Sequence, residues 1–286
     1  MRLASYRANG KESFGIVVKS RHGDGIVDLR ERLDLPDLKS LLAQGIEKAQ
    51  AWSGEPPDHL LTEVLLLPPI TNPQHIICVG LNTRSHAKEA EEFFKMKIDD
   101  PTHPRLFVRS PMSHVGHGQN IVTPRVSNSL DFEGEIAFVI GRAGRYIRKA
   151  DALAHVAGVA CYNDGSVREF QRHSDQVGPA KNFVASGAFG PWMTTLDEAG
   201  PVSELVMETR INGELRQRLT MDDLFFDISS LIEYISQPWH LQPGDVISIG
   251  SPAGVGAIAG KYLQAGDVVN ITIPTVGSLI NKVVAE

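Results

Sequence analysis

The chain has 286 residues, a formal net charge of -6 and 42% hydrophobic residues, an ordinary composition for a globular protein with a sizeable core. Its Lys and Arg residues are scattered instead of gathered into a patch, which argues against nucleic acid or an anionic membrane as a partner. No apolar run approaches the ~20 residues of a membrane span, and the segment MRLASYRANG lacks the apolar core of a secretory signal, so we expect a cytoplasmic protein.

Residues 1–70 are predicted to form a small N-terminal domain. Short strands, a turn at 22–25 and a helix over 37–52 are indicated by alternation, a Gly-Asp-Gly cluster and apolar spacing. The Pro-rich segment 54–74 is then typical of an extended connection. We therefore place a boundary at residue 70 and expect a second domain over 71–286 to carry the chemistry.

The second domain opens with a buried strand and a helical pattern that contains His86 and Glu89. On a helix these residues are three positions apart and share a face. A carboxylate in that position orients the imidazole and raises its basicity, which suits a general base. On spacing alone, a surface His beside a surface Glu is the more frequent interpretation.

The segment Leu130–Arg142, LDFEGEIAFVIGR, alternates with the period of a strand that has one buried face. The alternation places Asp131, Glu133 and Glu135 together on the other face. Same-face neighbours on a strand lie roughly 6–7 Å apart, so the two glutamates can reach one hard cation. Like charges this close are costly unless a cation or solvent compensates them.

Three further positions have surroundings that suit a site. Asp164 directly follows an apolar run, and strand ends often carry catalytic groups, although a turn or cap residue is the more frequent interpretation. Lys181 lies among small and aromatic residues, where it either lines a site or reaches the surface. Ser251 lies in a glycine-rich segment whose backbone amides can approach a ligand, and a simple tight turn is equally compatible.

Over 74–286 the chain resembles the fumarylacetoacetate hydrolase (FAH) family. Five segments occur in the family's order and approximate spacing: GLNTRSHAKEA, LDFEGEIAFVIGR, YNDGSVREFQ, KNFVASGAFGPW and GDVISIGSPAGVG. Five separated motifs in register are far more specific than any one of them. The resemblance implies an α+β, β-rich fold, an FAH-type mixed β-strand roll with a small N-terminal domain, and a homodimer.

The resemblance also implies a cofactor, Mg²⁺ or Mn²⁺. The family binds it through two glutamates of an E-x-E strand and an aspartate, which correspond here to Glu133, Glu135 and Asp164. The residues themselves agree, because hard divalent ions prefer oxygen ligands. Asp131 is expected to have a supporting role beside them.

The reaction implied by the resemblance is metal-dependent hydrolysis of a C–C bond in an acylpyruvate-type substrate, a 2,4-dioxo acid, in aromatic-compound catabolism. The family's H-x-x-E dyad and lysine correspond to His86, Glu89 and Lys181. His86, held by Glu89, would take a proton from the attacking water, and Lys181 would stabilise negative charge on oxygen. This context favours the catalytic interpretation of all three residues.

Alternatives with the same metal chemistry are an oxaloacetate decarboxylase and a hydroxymuconate-type isomerase. A metal-binding protein without catalysis is a third, against which the intact dyad argues. Four residues are candidates to bind the small-molecule keto acid: Arg84, Arg109, Gln171 and Ser251.

Overall fold

The computed structural model describes residues 1–21 and 23–286 of the chain. Strands make up 37% and helices 25% of the residues, which confirms the β-rich α+β class. Among the described residues, no helix is both long enough and apolar enough to cross a bilayer. The predicted turn at 22–25 includes His22, which lies outside the described residues.

The strands form two sheets and a short two-stranded ladder. In chain order they are β1 (Arg2–Ala8), β2 (Lys11–Ser20), β3 (Gly23–Asp28), β4 (His59–Leu60), β5 (Leu65–Leu66), β6 (Ile76–Gly80), β7 (Arg105–Val108), β8 (His114–Val115), β9 (Ile121–Thr123), β10 (Leu130–Asp131), β11 (Gly134–Ile140), β12 (Val156–Asn163), β13 (Ser166–Val167), β14 (Gly187–Thr195), β15 (Val206–Ile211), β16 (Glu214–Thr220), β17 (Val246–Ser248), β18 (Val268–Ile273) and β19 (Gly277–Ala285). The larger sheet has the order β4-β3-β2-β1-β14-β12-β11-β17-β6-β7, with β5 on β1 and β8 on β14. The smaller sheet has the order β16-β15-β18-β19-β9, and β10 pairs with β13.

The helices are short. They are α1 (Arg30–Leu33), α2 (Leu38–Gln44), α3 (Arg84–Phe94), α4 (Arg168–Gln171), α5 (Gly178–Lys181), α6 (Leu196–Ala199), α7 (Ile228–Ile235) and α8 (Gly256–Ala259). The prediction of one continuous helix over 37–52 is wrong at Gly45. A φ of 107° at that glycine ends α2, and a 3-10 segment over Ile46–Trp52 follows it.

The N-terminal strands extend the larger sheet. β1 pairs with β14, with Arg2 opposite Thr194 and Leu3 opposite Met193. The Pro-rich segment contributes β4 and β5, which pair with β3 and β1, so this segment packs on the N-terminal strands. The division of the chain at residue 70 and the homodimer stay predictions.

β11 is a central strand that is buried on both faces. Ile136, Phe138 and Ile140 join a core shared with the smaller sheet, whereas Ala137 and Val139 join a second core shared with α2. The prediction of a single buried face is therefore wrong. The second face carries acidic side chains at the start of the strand, where a cavity takes the place of the second core.

Candidate functional site

The register of two neighbouring strands brings the acidic residues together. β11 and β12 are antiparallel, with Gly134 opposite Asn163. Asp164 follows directly, and its backbone N–H donates to the carbonyl oxygen of Glu133 at 2.8 Å. One oxygen from each carboxylate of Glu133, Glu135 and Asp164 can be chosen so that all three lie within 4.8 Å of one another, and all three residues are buried. This cluster is called the acidic cluster below, and it contains the three residues that the family resemblance implied as ligands.

Gly134 lets the acidic strand lie close to the smaller sheet. A Cβ atom at this position would lie 1.9 Å from Oγ1 of Thr209 in β15, so a side chain cannot be accommodated unless Thr209 or the strand moves. The backbone N–H of Gly134 donates to Oε1 of Gln217 in β16 at 2.9 Å. Both contacts hold the start of β11, and with it Glu133 and Glu135, against a packed layer.

Three cationic side chains of the described chain contact the acidic cluster. Lys181 Nζ lies 2.7 Å from Glu133 Oε2 and also contacts the carboxylate of Asp164. Arg168 Nη2 lies 2.5 Å from Glu133 Oε1. Arg109 Nη1 donates to Asp164 Oδ1 at 2.6 Å. The predicted lysine is therefore beside the predicted ligands, and two of the three carboxylates are charge-compensated by the protein.

The surroundings give the three carboxyl groups different proton affinities. Burial raises the pKa of Glu135 well above its usual range, and the charges of Asp164 and Glu133 raise it further. Burial also raises the pKa of Asp164, although Lys181 opposes the shift. Burial would raise the pKa of Glu133 too, but Arg168 and Lys181 outweigh it and hold that pKa well below the usual range. Glu135 is therefore the carboxyl group with the least compensated charge.

The acidic cluster fits a divalent cation. Glu135 Oε2 accepts hydrogen bonds from Ser248 Oγ at 2.5 Å and from Gly250 N–H at 2.9 Å, and no Lys or Arg of the described chain forms a salt bridge with it. Three buried carboxylates supply an all-oxygen set, which suits a hard ion such as Mg²⁺ or Mn²⁺. The residues that would hold the ion are Glu133, Glu135 and Asp164.

The dyad lies on α3, as predicted. Thr83 caps this helix by accepting a hydrogen bond from the backbone N–H of His86 at 3.4 Å. His86 Nδ1 lies 3.2 Å from Glu89 Oε2, and both side chains are partly buried. The other oxygen of Glu89 accepts from Gly254 N–H at 2.9 Å. Glu89 therefore orients the imidazole while it is itself held by the glycine-rich segment.

One cavity of about 680 Å³ joins the two groups of residues. The side chains of His86, Lys181 and the acidic cluster line it, together with Gln171 and Ser251. Arg105 and Arg172 also line it, and so do apolar residues, among them Val79, Ala90, Phe107, Val177, Val255 and Ile258. A concave site with convergent polar groups and shifted pKa values is the usual form of an enzyme active site.

Two of the predicted substrate-binding residues are not among the described residues that line the cavity. Arg84 lies with its guanidinium 4.7 Å from the ring centre of Phe225, and its side chain is about half exposed. Arg109 is buried behind Asp164 and also donates to Ser113 and Ser186. Contact of either arginine with a substrate stays a prediction.

Sequence reasoning missed Arg168, which lines the cavity beside Glu133. Arg168 lies three positions before Gln171 on α4, and its Nη1 donates to Gln171 Oε1 at 3.1 Å. Residues three apart on a helical turn share a face. The spacing of three positions between Arg168 and the predicted Gln171 could therefore have identified Arg168 from the sequence.

Comparisons with known proteins find similar sequences and a similar fold. The sequence model of the fumarylacetoacetate (FAA) hydrolase C-terminal region matches residues 75–284. An oxaloacetate tautomerase of Bacillus subtilis is 38% identical, over 81% of this chain and 79% of that protein. A mitochondrial oxaloacetate tautomerase of Bos taurus is 33% identical, over 99% of this chain and 92% of that protein. The crystal structure of maleylpyruvate hydrolase from Sphingobium sp. SYK-6, in complex with manganese and pyruvate, superposes with a TM-score of 0.81 at 27% identity and covers 100% of this chain and 99% of that one.

Proposed function

The chain is an enzyme that belongs to the fumarylacetoacetate hydrolase family, and we propose that it interconverts the keto and enol forms of a 2-oxo acid of the oxaloacetate type with the help of Mg²⁺ or Mn²⁺. The observation that carries the proposal is one cavity lined both by His86 and by three buried carboxylates. The two tautomerases described above support the choice of substrate and reaction. The cavity supports it chemically, because a base and a cation site face the same space.

The His86–Glu89 dyad carries out the proton transfer. In tautomerisation a proton leaves C3 of the oxo acid and a proton is added to the oxygen on C2, so no other atom is gained or lost. Glu89 Oε2 lies beside Nδ1 of His86, which leaves Nε2 as the nitrogen that exchanges the proton with C3. Nε2 can act as a base only in the tautomer in which Nδ1 carries the ring hydrogen. The Glu89 carboxylate stabilises that tautomer by accepting a hydrogen bond from Nδ1.

The remaining charged residues bind and orient the substrate. When bound, a divalent ion would supply Lewis acidity to the substrate's oxygens. Arg168 and Lys181 line the cavity and place positive charge beside the acidic cluster, which favours an anionic substrate. Gln171 and Ser251 offer hydrogen bonds from the same wall.

Hydrolysis of a C–C bond in an acylpyruvate is the second candidate. The manganese-bound maleylpyruvate hydrolase has the same fold. A cavity of about 680 Å³ is also large for a four-carbon acid, since clefts of about 300–1,000 Å³ hold drug-sized ligands. In this reaction His86 would take the proton from an attacking water instead of from carbon.

An ultraviolet assay separates the candidates. The purified protein is mixed with oxaloacetate or with an acylpyruvate, in Mn²⁺ or in EDTA, and the enol and diketone absorbances are followed while pyruvate is measured by a coupled assay. We expect a metal-dependent acceleration of the enol–keto change of oxaloacetate without pyruvate. Loss of the diketone band identifies the hydrolase, and pyruvate from oxaloacetate identifies a decarboxylase. The absence of any metal-dependent change with either compound contradicts the proposal.

A further inference from the structure

Asp131 lies outside the acidic cluster, at the end of β10, and its side chain is fully buried. Its Oδ1 accepts hydrogen bonds from the backbone N–H groups of Phe132 at 2.9 Å and Gly256 at 2.8 Å. Its Oδ2 accepts from Ala257 N–H and from Arg168 Nε, each at 2.9 Å. A carboxylate has about four lone-pair positions, and all of them are used here.

Two of the four donors belong to residues that line the cavity. Ala257, in α8, is one of them. Arg168 is the other, and its Nη2 lies 2.5 Å from Glu133 while its Nη1 donates to Gln171. Asp131 therefore joins α8 to the arginine that contacts both a predicted metal ligand and a predicted substrate-binding residue.

We propose that Asp131 is a positioning residue that holds Arg168 against Glu133 and so sets the geometry of the acidic cluster. The inference rests on the proposed function, because it assumes that the cluster binds a divalent ion. An arginine held by its Nε has one direction left for its terminal nitrogens, and here that direction leads to Glu133 and Gln171. Without the Asp131 carboxylate, Arg168 loses this constraint and Glu133 loses a fixed partner.

Asp131→Asn removes the charge and keeps the shape. An asparagine offers one acceptor oxygen and presents two N–H groups, so two of the four donors face another donor. Part of the effect will be on stability, because buried donors are left without acceptors. A matched control is therefore needed to separate lost stability from lost positioning.

Asp245 is that control. It is also fully buried, and it accepts from the backbone N–H groups of His75 at 2.9 Å and Gln242 at 2.8 Å. Its Oδ2 also lies 3.2 Å from the ring nitrogen Nδ1 of His75. Asp245 neither lines the cavity nor contacts Arg168 in the described structure. Asp245→Asn thus disturbs a buried aspartate of the same kind whose carboxylate bonds to His75 and Gln242 and not to the acidic cluster.

The test measures the binding of Mn²⁺ alone by titration calorimetry and thermal unfolding by calorimetry, for the whole chain and its variants. We expect both Asp131→Asn and Asp245→Asn to lower Tm, and Asp131→Asn alone to weaken Mn²⁺ binding, by about 10- to 100-fold. Arg168→Gln should weaken it to a similar extent. The double variant should be no worse than Arg168→Gln, because the two residues act through one contact.

Several outcomes overturn the inference. The first is a wild-type Mn²⁺ affinity in Asp131→Asn, and the second is a loss of Mn²⁺ affinity in Asp245→Asn as large as that in Asp131→Asn. The third is a loss of Mn²⁺ affinity in the double variant that equals the sum of the two single losses in free energy. If Asp131→Asn does not fold, Arg168→Gln decides, since it leaves the three backbone hydrogen bonds of Asp131 intact: unchanged Mn²⁺ affinity overturns the inference, and weakened affinity supports it. If the wild-type protein binds no Mn²⁺, the proposed function itself is contradicted. If the wild type binds Mn²⁺ and Asp131→Asn binds it with the same affinity, only this inference is contradicted.

Discussion

The acidic cluster and the dyad helix face the same cavity but are held in different ways. Glu133, Glu135 and Asp164 lie on or beside adjacent strands in the middle of the larger sheet, and each is at most 7% exposed. His86 and Glu89 lie on a single helix, with side chains that are 16% and 18% exposed. The distances within the cluster therefore follow from strand register, whereas the distance from the cluster to the base depends on how α3 is attached.

A small number of hydrogen bonds attach α3 to the rest of the molecule. Thr83 Oγ1 donates to the carbonyl oxygen of Ser251 at 2.7 Å. The backbone N–H of Ser85 donates to Asp223 at 3.0 Å, and its hydroxyl donates to the other oxygen of the same carboxylate at 2.5 Å. A ladder of strand hydrogen bonds is harder to displace than a helix held by a few side chains. The comparison indicates a rigid acidic cluster and a dyad whose position is more easily altered.

The largest effect is expected from the cluster. Glu135→Gln keeps an oxygen that can accept from Ser248 and Gly250, so the fold should be retained. It removes one of three charges that a cation would compensate, and metal charge stabilisation is worth several kcal/mol. We expect metal-dependent activity and Mn²⁺ binding to be lost, with Tm near the wild-type value.

Mn²⁺ calorimetry, thermal unfolding and the ultraviolet assay check this outcome. Glu12→Gln is the control, because Glu12 in β2 is exposed, lies 2.6 Å from Arg7 and does not line the cavity. Glu135→Gln that retains wild-type metal-dependent turnover would falsify the assignment of Glu135 as a ligand.

A smaller effect is expected from the base. His86→Ala removes a positioned proton carrier, which typically contributes about 10²–10⁴-fold to rate. The Mn²⁺ affinity should stay unchanged, since the hydrogen-bond partner of the His86 ring is Glu89 and not a carboxylate of the cluster. The two variants should therefore differ in Mn²⁺ binding, which is lost in Glu135→Gln and retained in His86→Ala.

The measurements are kcat and Mn²⁺ affinity on the same preparations. Glu89→Gln is the matched variant, because it keeps an acceptor for Gly254 N–H while it weakens the orientation of the imidazole. Its kcat should lie between those of the wild type and His86→Ala. A loss of Mn²⁺ binding in His86→Ala would show that the two regions are not separable.

The smallest effect is expected from the attachment of α3. Ser85→Ala removes the hydroxyl that bonds to Asp223 and that accepts from Ala253 N–H at 3.2 Å. A hydrogen bond contributes about 0.5–1.5 kcal/mol to stability, so we expect faster amide exchange in 84–94, a severalfold lower kcat and unchanged Mn²⁺ affinity. Hydrogen exchange with mass detection measures this directly.

Ser53→Ala serves as the control for Ser85→Ala. Its hydroxyl donates to the carbonyl oxygen of Gln50 at 2.9 Å in an exposed turn of the N-terminal region. Amide exchange in 84–94 should match the wild type in this variant. Equal exchange in Ser85→Ala and the wild type would mean that the packing of α3, not its side-chain hydrogen bonds, holds the base in place.

Much of the site followed from local patterns in the sequence. Alternation over 130–142 indicated a strand with Glu133 and Glu135 on one face, and the structure confirms their common face. The spacing of His86 and Glu89 predicted a shared face of a helix, which is confirmed by the contact of 3.2 Å between their side chains. These features depend on the backbone periods of strands and helices, which a sequence displays directly.

Only the tertiary structure decided which residues surround those groups. Asp164 reaches Glu133 through the register of β11 on β12, and Arg168 and Asp131 meet through the ladder of β10 with β13. Arg109 was predicted to contact the substrate, and the structure places its guanidinium on Asp164, 55 positions away along the chain, at 2.6 Å. By itself the sequence determined the acidic strand, the dyad helix and the polar groups that each of them carries. Contacts between residues that are distant in the chain depend on strand order and register, which local periodicity does not contain.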